Sequence, residues 1–127
     1  MKKVIFENAD HEIRYNEILS KMSYQSNMHK AIAYLLALMD GNAEDIYDFS
    51  KNQIINDGLQ ACWQTGGSVR ATKLIYSMWN GPELYPEKCT IDQIFGYSRW
   101  DKFFIEALKI YADDTINMPD FSKLKFD

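Results

Sequence analysis

"AIAYLLALM", residues 31–39, runs nine residues without a charged or amide side chain. A helix that is apolar on every face is the central one of its fold, wrapped by the others. A buried strand is the competing reading of a short apolar run. The Ala and Leu content favours helix. So do a start at Ser26 or Asn27, either of which suits an N-cap, and a stop at Gly41. If this segment is a buried central helix, the segments on either side must supply apolar faces to cover it.

On the N-terminal side, Asn8 caps a helix whose apolar positions are Ile13, Ile18, Leu19 and Met22, with Tyr15 beside them. Its polar side carries Glu12, Arg14, Glu17 and Lys21, and Glu17 to Lys21 is an i,i+4 pair in the better orientation. On the C-terminal side, Asn42 caps a short helix over "AEDIYDF", residues 43–49, with acidic residues in its first turn as the helix dipole prefers. Ile54, Ile55, Leu59 and Cys62 fall near helical spacing and predict a further helix over about residues 52–62, weakened at Gly58. Val69, Leu74, Ile75, Met78 and Trp79 give a stronger helix over 68–79, ended by Gly81 and Pro82. "PELYPEKC" is a loop, and Thr90 to Gln93 has capping-box spacing. The last helix starts at Ser98 and faces inward with Trp100, Phe103, Phe104, Ala107, Leu108 and Tyr111.

The expected fold is therefore all-α, a single compact bundle of five to seven unequal helices within one domain, residues 1–127. Residues 1–6 and 113–127 read as extended or flexible ends. "KKVIF", residues 2–6, is the one stretch with some strand character. The hydrophobic fraction of 46% and aromatic fraction of 14% supply a core for one domain of this length without disulfide or metal support.

Composition also narrows the chemistry. No stretch has the roughly 18 unbroken apolar residues of a membrane span, and the apolar run after Lys3 is too short for a signal peptide, so a cytoplasmic protein is expected. Cys62 and Cys89 are far apart and lack C-x-x-C spacing, which predicts two thiols. His11 and His29 stand near helix starts, where surface positions are usual, and neither lies near a cysteine in sequence. Neither a metal site nor a cofactor is expected, nor a catalytic centre.

The chain has 14 Lys+Arg against 18 Asp+Glu, and the distribution matters more than the balance. From Ala31 to Ser50 there is no basic residue, while Asp40, Glu44, Asp45 and Asp48 cluster. Such a patch attracts a protein partner with a basic surface and repels phosphate backbone. In the helical reading Glu44 and Asp48 share one face. The bland alternative is a solvated, acidic helix start.

"TGGSVR", residues 65–70, allows three readings. Gly67 and Ser68 at a helix N-terminus, with Arg70 and Lys73 one turn in, make a candidate anion or nucleic-acid contact. The spacing is not that of a P-loop. Helices over 52–62 and 68–79 around the glycines have helix-turn-helix outline, with Arg70, Thr72, Lys73 and Ser77 facing out. Too few basic residues accompany them for strong phosphate neutralisation. The structural reading has a positive φ at Gly66 or Gly67 and Ser68 as the cap.

"DIYDF" at 45–49, "WQTGGS" at 63–68 and "WNG" at 79–81 together resemble a family of small uncharacterised proteins from phages and mobile elements of Gram-positive bacteria. The resemblance spans about residues 7–112. It carries no catalytic residue. It implies a small accessory protein that binds, and often blocks, a host or rival protein. The function expected is non-enzymatic binding of a macromolecule through an acidic and aromatic surface, with a helix-turn-helix regulator over residues 52–79 as the alternative.

Overall fold

The computed structural model describes residues 4–39, 42–61, 64–80, 89–96 and 99–113. The fold is mostly helical. Helix α1 spans Ala9–Lys21, α2 Asn27–Leu38, α3 Gly66–Asn80, α4 Ile91–Ile94 and α5 Asp101–Asp113. Between α2 and α3 a small hairpin pairs β1, Tyr47–Asp48, with β2, Gln53–Ile54.

Helix α2 is the centre. Every residue from Ala31 to Met39 is buried. It packs most extensively against α1 and α5, then against α3. The caps follow the sequence. Asn8 accepts from the His11 N–H and Ser26 from the His29 N–H, which satisfies N–H groups the helices cannot pair internally. Near the far end of α2, the Arg14 Nε donates to the Ala37 carbonyl at 2.8 Å. Gly41, Ser98 and Trp63 lie outside the described residues.

The expected helix over 43–49 does not form. Ala43–Asp45 is one turn of 3-10 helix, and the chain then enters β1. Asn42 has a φ of 59° and no capping side-chain bond. The cause lies downstream. The Asp48 carboxylate accepts from the Ser50 N–H at 3.0 Å, the Ser50 hydroxyl at 2.7 Å and the Lys51 N–H at 3.2 Å. Asn52 takes a left-handed φ of 53°. Local side-chain bonds of this kind compete with helix, and they close the turn that pairs Tyr47 with Ile54 and Asp48 with Gln53. Glu44 and Asp48 therefore do not share a helix face.

The expected helix over 52–62 is also absent from the described part of that range. Gln53–Ile54 is strand and Gly58–Gln60 is a single 3-10 turn. Among the described residues no helix stands directly before α3 in the way a helix-turn-helix requires. Two apolar positions turn outward against expectation, Ile13 at 54% exposure and Tyr111 at 43%. Residues 4–6 of the "KKVIF" stretch are not assigned to a sheet.

Candidate binding surface

The acidic residues stand on a firm base. Ala43, Ile46 and Tyr47 are buried, while Glu44 and Asp45 are exposed and Asp48 is half-buried. The Tyr47 ring packs edge-on to Phe49 at 5.1 Å and to Trp79 at 5.9 Å. The hairpin is tied to the end of α1, where the Ser23 N–H donates to the Asn52 side chain at 3.1 Å and the Asn52 amide donates to the Ser23 hydroxyl at 3.0 Å. The Ser50 hydroxyl, with the Lys51 and Ser50 N–H groups, holds Asp48 below the usual carboxylate range, so its charge persists. Lys21 reaches Glu44 at 3.8 Å, a solvated pair of little energetic weight. The acidic turn thus comprises Glu44 and Asp45 on the 3-10 turn, with Asp48 following in β1. Asp40 lies outside the described residues.

The first turn of α3 is spent on internal contacts. Helix α3 begins at Gly66, so Ser68 is its third residue and Thr65 takes the cap position. The buried Ser68 hydroxyl accepts from the Thr65 N–H at 2.7 Å and contacts the Thr65 carbonyl oxygen at 3.2 Å. It is the residue that reaches back, not the cap. Neither Gly66 nor Gly67 has a positive φ. Gly67 instead sits close to Trp100: a Cβ there would lie 3.3 Å from the ring, so the indole would have to give by a few tenths of an ångström. Gly67→Val is expected to overpack this contact and cost about 1–3 kcal/mol, read as a lowered melting temperature.

Arg70 and Lys73 do not face outward together as a helix surface. The Arg70 guanidinium donates to the Phe95 carbonyl at 2.9 Å and to the Gln93 carbonyl at 3.4 Å. Lys73, a residue 8% exposed, donates from its ammonium to the Gln93 side-chain oxygen at 3.1 Å. Both pin the α4 segment onto α3. Thr72 is fully buried. Gln93 is thereby diverted from the expected capping box, and the Thr90 hydroxyl donates to Asp92 instead of capping α4.

Both histidines are buried, not superficial. His11 accepts from the Glu7 N–H through Nδ1 at 3.0 Å and donates from Nε2 to the Tyr34 carbonyl at 2.9 Å. Those partners fix the neutral tautomer. Burial pushes its pKa down, against the pull of the Tyr34 carbonyl, with Arg14 adding to the lowering and Glu7 opposing it. His29 bonds the Ser26 hydroxyl at 2.6 Å, and burial likewise lowers its pKa. Cys89 is buried, and Cys62 lies outside the described residues. Among the described residues no group of three or more His, Cys, Asp or Glu side chains could hold a metal ion.

Sequence reading missed the role of Glu106. The residue is 7% exposed, and its carboxylate accepts from the Ile5 N–H at 3.1 Å. The Tyr34 hydroxyl donates to the Ile5 carbonyl. Trp100 Nε1 donates to the Glu7 carboxylate at 3.1 Å. The segment before α1 is thus strapped to α2 and α5. An open groove of about 740 Å³ runs beside it, lined by residues that include Val4, Ile5, Phe6, Ala9, Glu12 and Tyr15. The legible signal was a carboxylate set among the inward positions Phe103, Ala107 and Ile110.

Compared with known proteins, residues 1–123 match the model of a family of unknown function, DUF6075. The chain belongs to this family. The match covers the strap, the acidic turn and the five helices of the described residues. No curated protein and no solved structure matches the chain. No helix among the described residues is long and apolar enough to cross a membrane.

Proposed function

We propose that this member of DUF6075 is a non-enzymatic binding protein of the cytoplasm, which engages a basic surface on a protein partner through Glu44, Asp45 and Asp48, with Asp40 adjoining in sequence. The observation that carries the reading is the acidic turn itself. Its carboxylates are exposed or half-exposed, while the backbone beneath them is anchored by the buried Ile46 and Tyr47. A preorganised charged turn loses little conformational freedom on binding. Charge complementarity then speeds encounter and excludes wrong partners. The internal duties of His11, Lys73 and Glu106 support a role in packing for these groups. The resemblance to phage and mobile-element proteins supports an accessory or inhibitory role, with a host or rival protein as the target.

Charge reversal at Glu44 and Asp45 tests this. Asp48 is left intact, because its carboxylate closes the hairpin turn. Tagged wild type and Glu44→Lys/Asp45→Lys are used to capture partners from a host lysate, and the captured protein is then purified for titration. Stability of the variant should stay within about 0.5 kcal/mol of wild type. Affinity should fall by on the order of 100-fold and lose its salt dependence. Unchanged affinity removes the acidic turn from the interface, and recovery of nucleic acid alone overturns the protein-partner reading.

A further inference from the structure

The end of α1 and the acidic turn together form a seat for a cation. One wall is the ring of Phe49, the residue after β1, which is half-buried and backed edge-on by the buried Tyr47 at 5.1 Å. The other wall is the exposed Glu44 carboxylate on the 3-10 turn. Lys21, in the last turn of α1, fills the seat. Its Nζ lies 5.8 Å from the centre of the Phe49 ring and 3.8 Å from Glu44 Oε1. A ring face attracts a cation within about 6 Å of its centre, and a carboxylate beside it adds a second attraction. The walls do not depend on the lysine. The Ser23–Asn52 hydrogen bonds fix the hairpin to the end of α1, and the Asp48 carboxylate closes the turn on the Ser50 and Lys51 N–H groups. The lysine is the loose part. The Lys21 and Glu44 side chains are 56% and 68% exposed, and so solvated an ion pair holds its cation weakly.

We infer that Lys21 is a placeholder, and that an arginine on the basic surface of the protein partner displaces it and binds between Phe49 and Glu44. The inference rests on the acidic turn being the partner site, and it names what that turn recognises. An arginine suits the seat better than the lysine it replaces. Its guanidinium is planar and weakly hydrated, stacks on a ring face and donates parallel N–H bonds to a carboxylate. The lysine ammonium is a compact, strongly hydrated point charge that gains less from the same two walls. Lys21 is therefore an internal competitor. It shields Glu44 from stray cations, and a plain ammonium from outside gains nothing over the one already in place. Selectivity for arginine then arises by displacement, with the repulsion of the resident cation acting against weaker ligands. Once displaced, the Lys21 ammonium remains near the C-terminus of α1, where the helix dipole favours it.

The test titrates the full chain at low salt with hexa-arginine peptide, beside hexa-lysine. Wild type should bind hexa-arginine about fivefold more tightly than hexa-lysine. Lys21→Met keeps the apolar stem and empties the seat, so it should tighten hexa-arginine binding by about fivefold. Lys51→Met removes the same charge from the hairpin turn and leaves the seat filled, so it should tighten binding by no more than about twofold. Phe49→Leu changes no charge and should weaken binding by about two- to fivefold, while Phe49→Tyr keeps the ring face and should bind as wild type does. Circular dichroism should be unchanged in each variant. A Lys21→Met gain no larger than that of Lys51→Met overturns the inference. So does Phe49→Leu binding as tightly as wild type, or hexa-lysine binding as tightly as hexa-arginine. In any of these cases, loss of hexa-arginine binding in Glu44→Lys/Asp45→Lys keeps the acidic turn as the partner site and confines the failure to the seat. A wild type that does not bind hexa-arginine at all removes the turn as a site for basic surfaces, and the seat with it.

Discussion

Gly58→Ala should cost about 2–4 kcal/mol, and the melting temperature should fall by about 10 °C for a domain of this size. Gly58 is where the hairpin, the following 3-10 turn and α3 converge. A Cβ there would stand 2.6 Å from Ile46 Cδ1, 2.9 Å from the Tyr76 hydroxyl and 3.0 Å from the Asp45 carbonyl oxygen. The isoleucine tip can rotate. The carbonyl belongs to the backbone of the 3-10 turn, and the hydroxyl is held by its own bonds. Tyr76 donates to the Ile55 carbonyl at 2.7 Å and accepts from the Gly58 N–H at 3.1 Å. Relief of the clash therefore breaks a buried hydrogen bond or moves the acidic turn. Thermal unfolding of Gly58→Ala beside Tyr76→Phe measures this. The tyrosine variant loses the hydrogen bonds without the clash, so Gly58→Ala should be the worse of the two. A melting temperature within 2 °C of wild type for Gly58→Ala would falsify the close approach.

The same glycine shows why half of the middle of the chain was misread. In sequence, Gly58 looks like a weak point in a helix whose apolar positions are Ile54, Ile55, Leu59 and Cys62. In the structure it is a place where no side chain fits. Periodicity carries no information about a clash with Ile46 and Tyr76, twelve and eighteen residues away. "DIYDF" fails for a related reason. Its acidic and apolar residues suit a helix start, but Asp48 finds backbone donors at Ser50 and Lys51, and turn chemistry outweighs a helical pattern this short. Long apolar segments were read correctly because burial alone determines them. "AIAYLLALM" can sit only at the centre, and the helices bearing Ile18, Leu74, Ile75 and Phe104 must cover it. The acidic cluster was legible as composition, since charge can be counted. The strap was not, because Glu106 meets Ile5 across 101 residues. Arg70 and Lys73 show the complementary error. Two cations at i,i+3 look like an offered surface, yet both are held by acceptors near Gln93 that no spacing rule connects to them.

Stability should fall as pH drops below about 6.5, the ordinary histidine value. His11 is the chief cause. Its fully buried ring accepts from the Glu7 N–H and donates to the Tyr34 carbonyl, so the folded state holds it neutral. Burial sets its folded pKa below the ordinary value. The unfolded chain then binds the proton first as pH falls. The stabilising contribution is complete above the unfolded pKa and is lost progressively toward the folded one, at a slope of at most about 1.4 kcal/mol per pH unit for each histidine. His29, lowered by burial too, adds in the same direction. Protonation at Nδ1 would set a donor against the Glu7 N–H, so the strap is the first element expected to loosen. Asp48 is also lowered, but its loss begins below 3.8, in a separate window. His11→Leu removes the titration and leaves the Glu7 N–H and the Tyr34 carbonyl without the ring. It should cost about 2–5 kcal/mol at pH 7.5 and flatten most of the dependence between pH 7.5 and 5.5. His29→Gln supplies the comparison, because it keeps a polar group beside Ser26 and leaves the strap intact. Denaturant midpoints for wild type and both variants across that range decide the matter. A flat wild-type profile, or a slope that His29→Gln abolishes and His11→Leu does not, would remove His11 as the group that couples proton uptake to the strap.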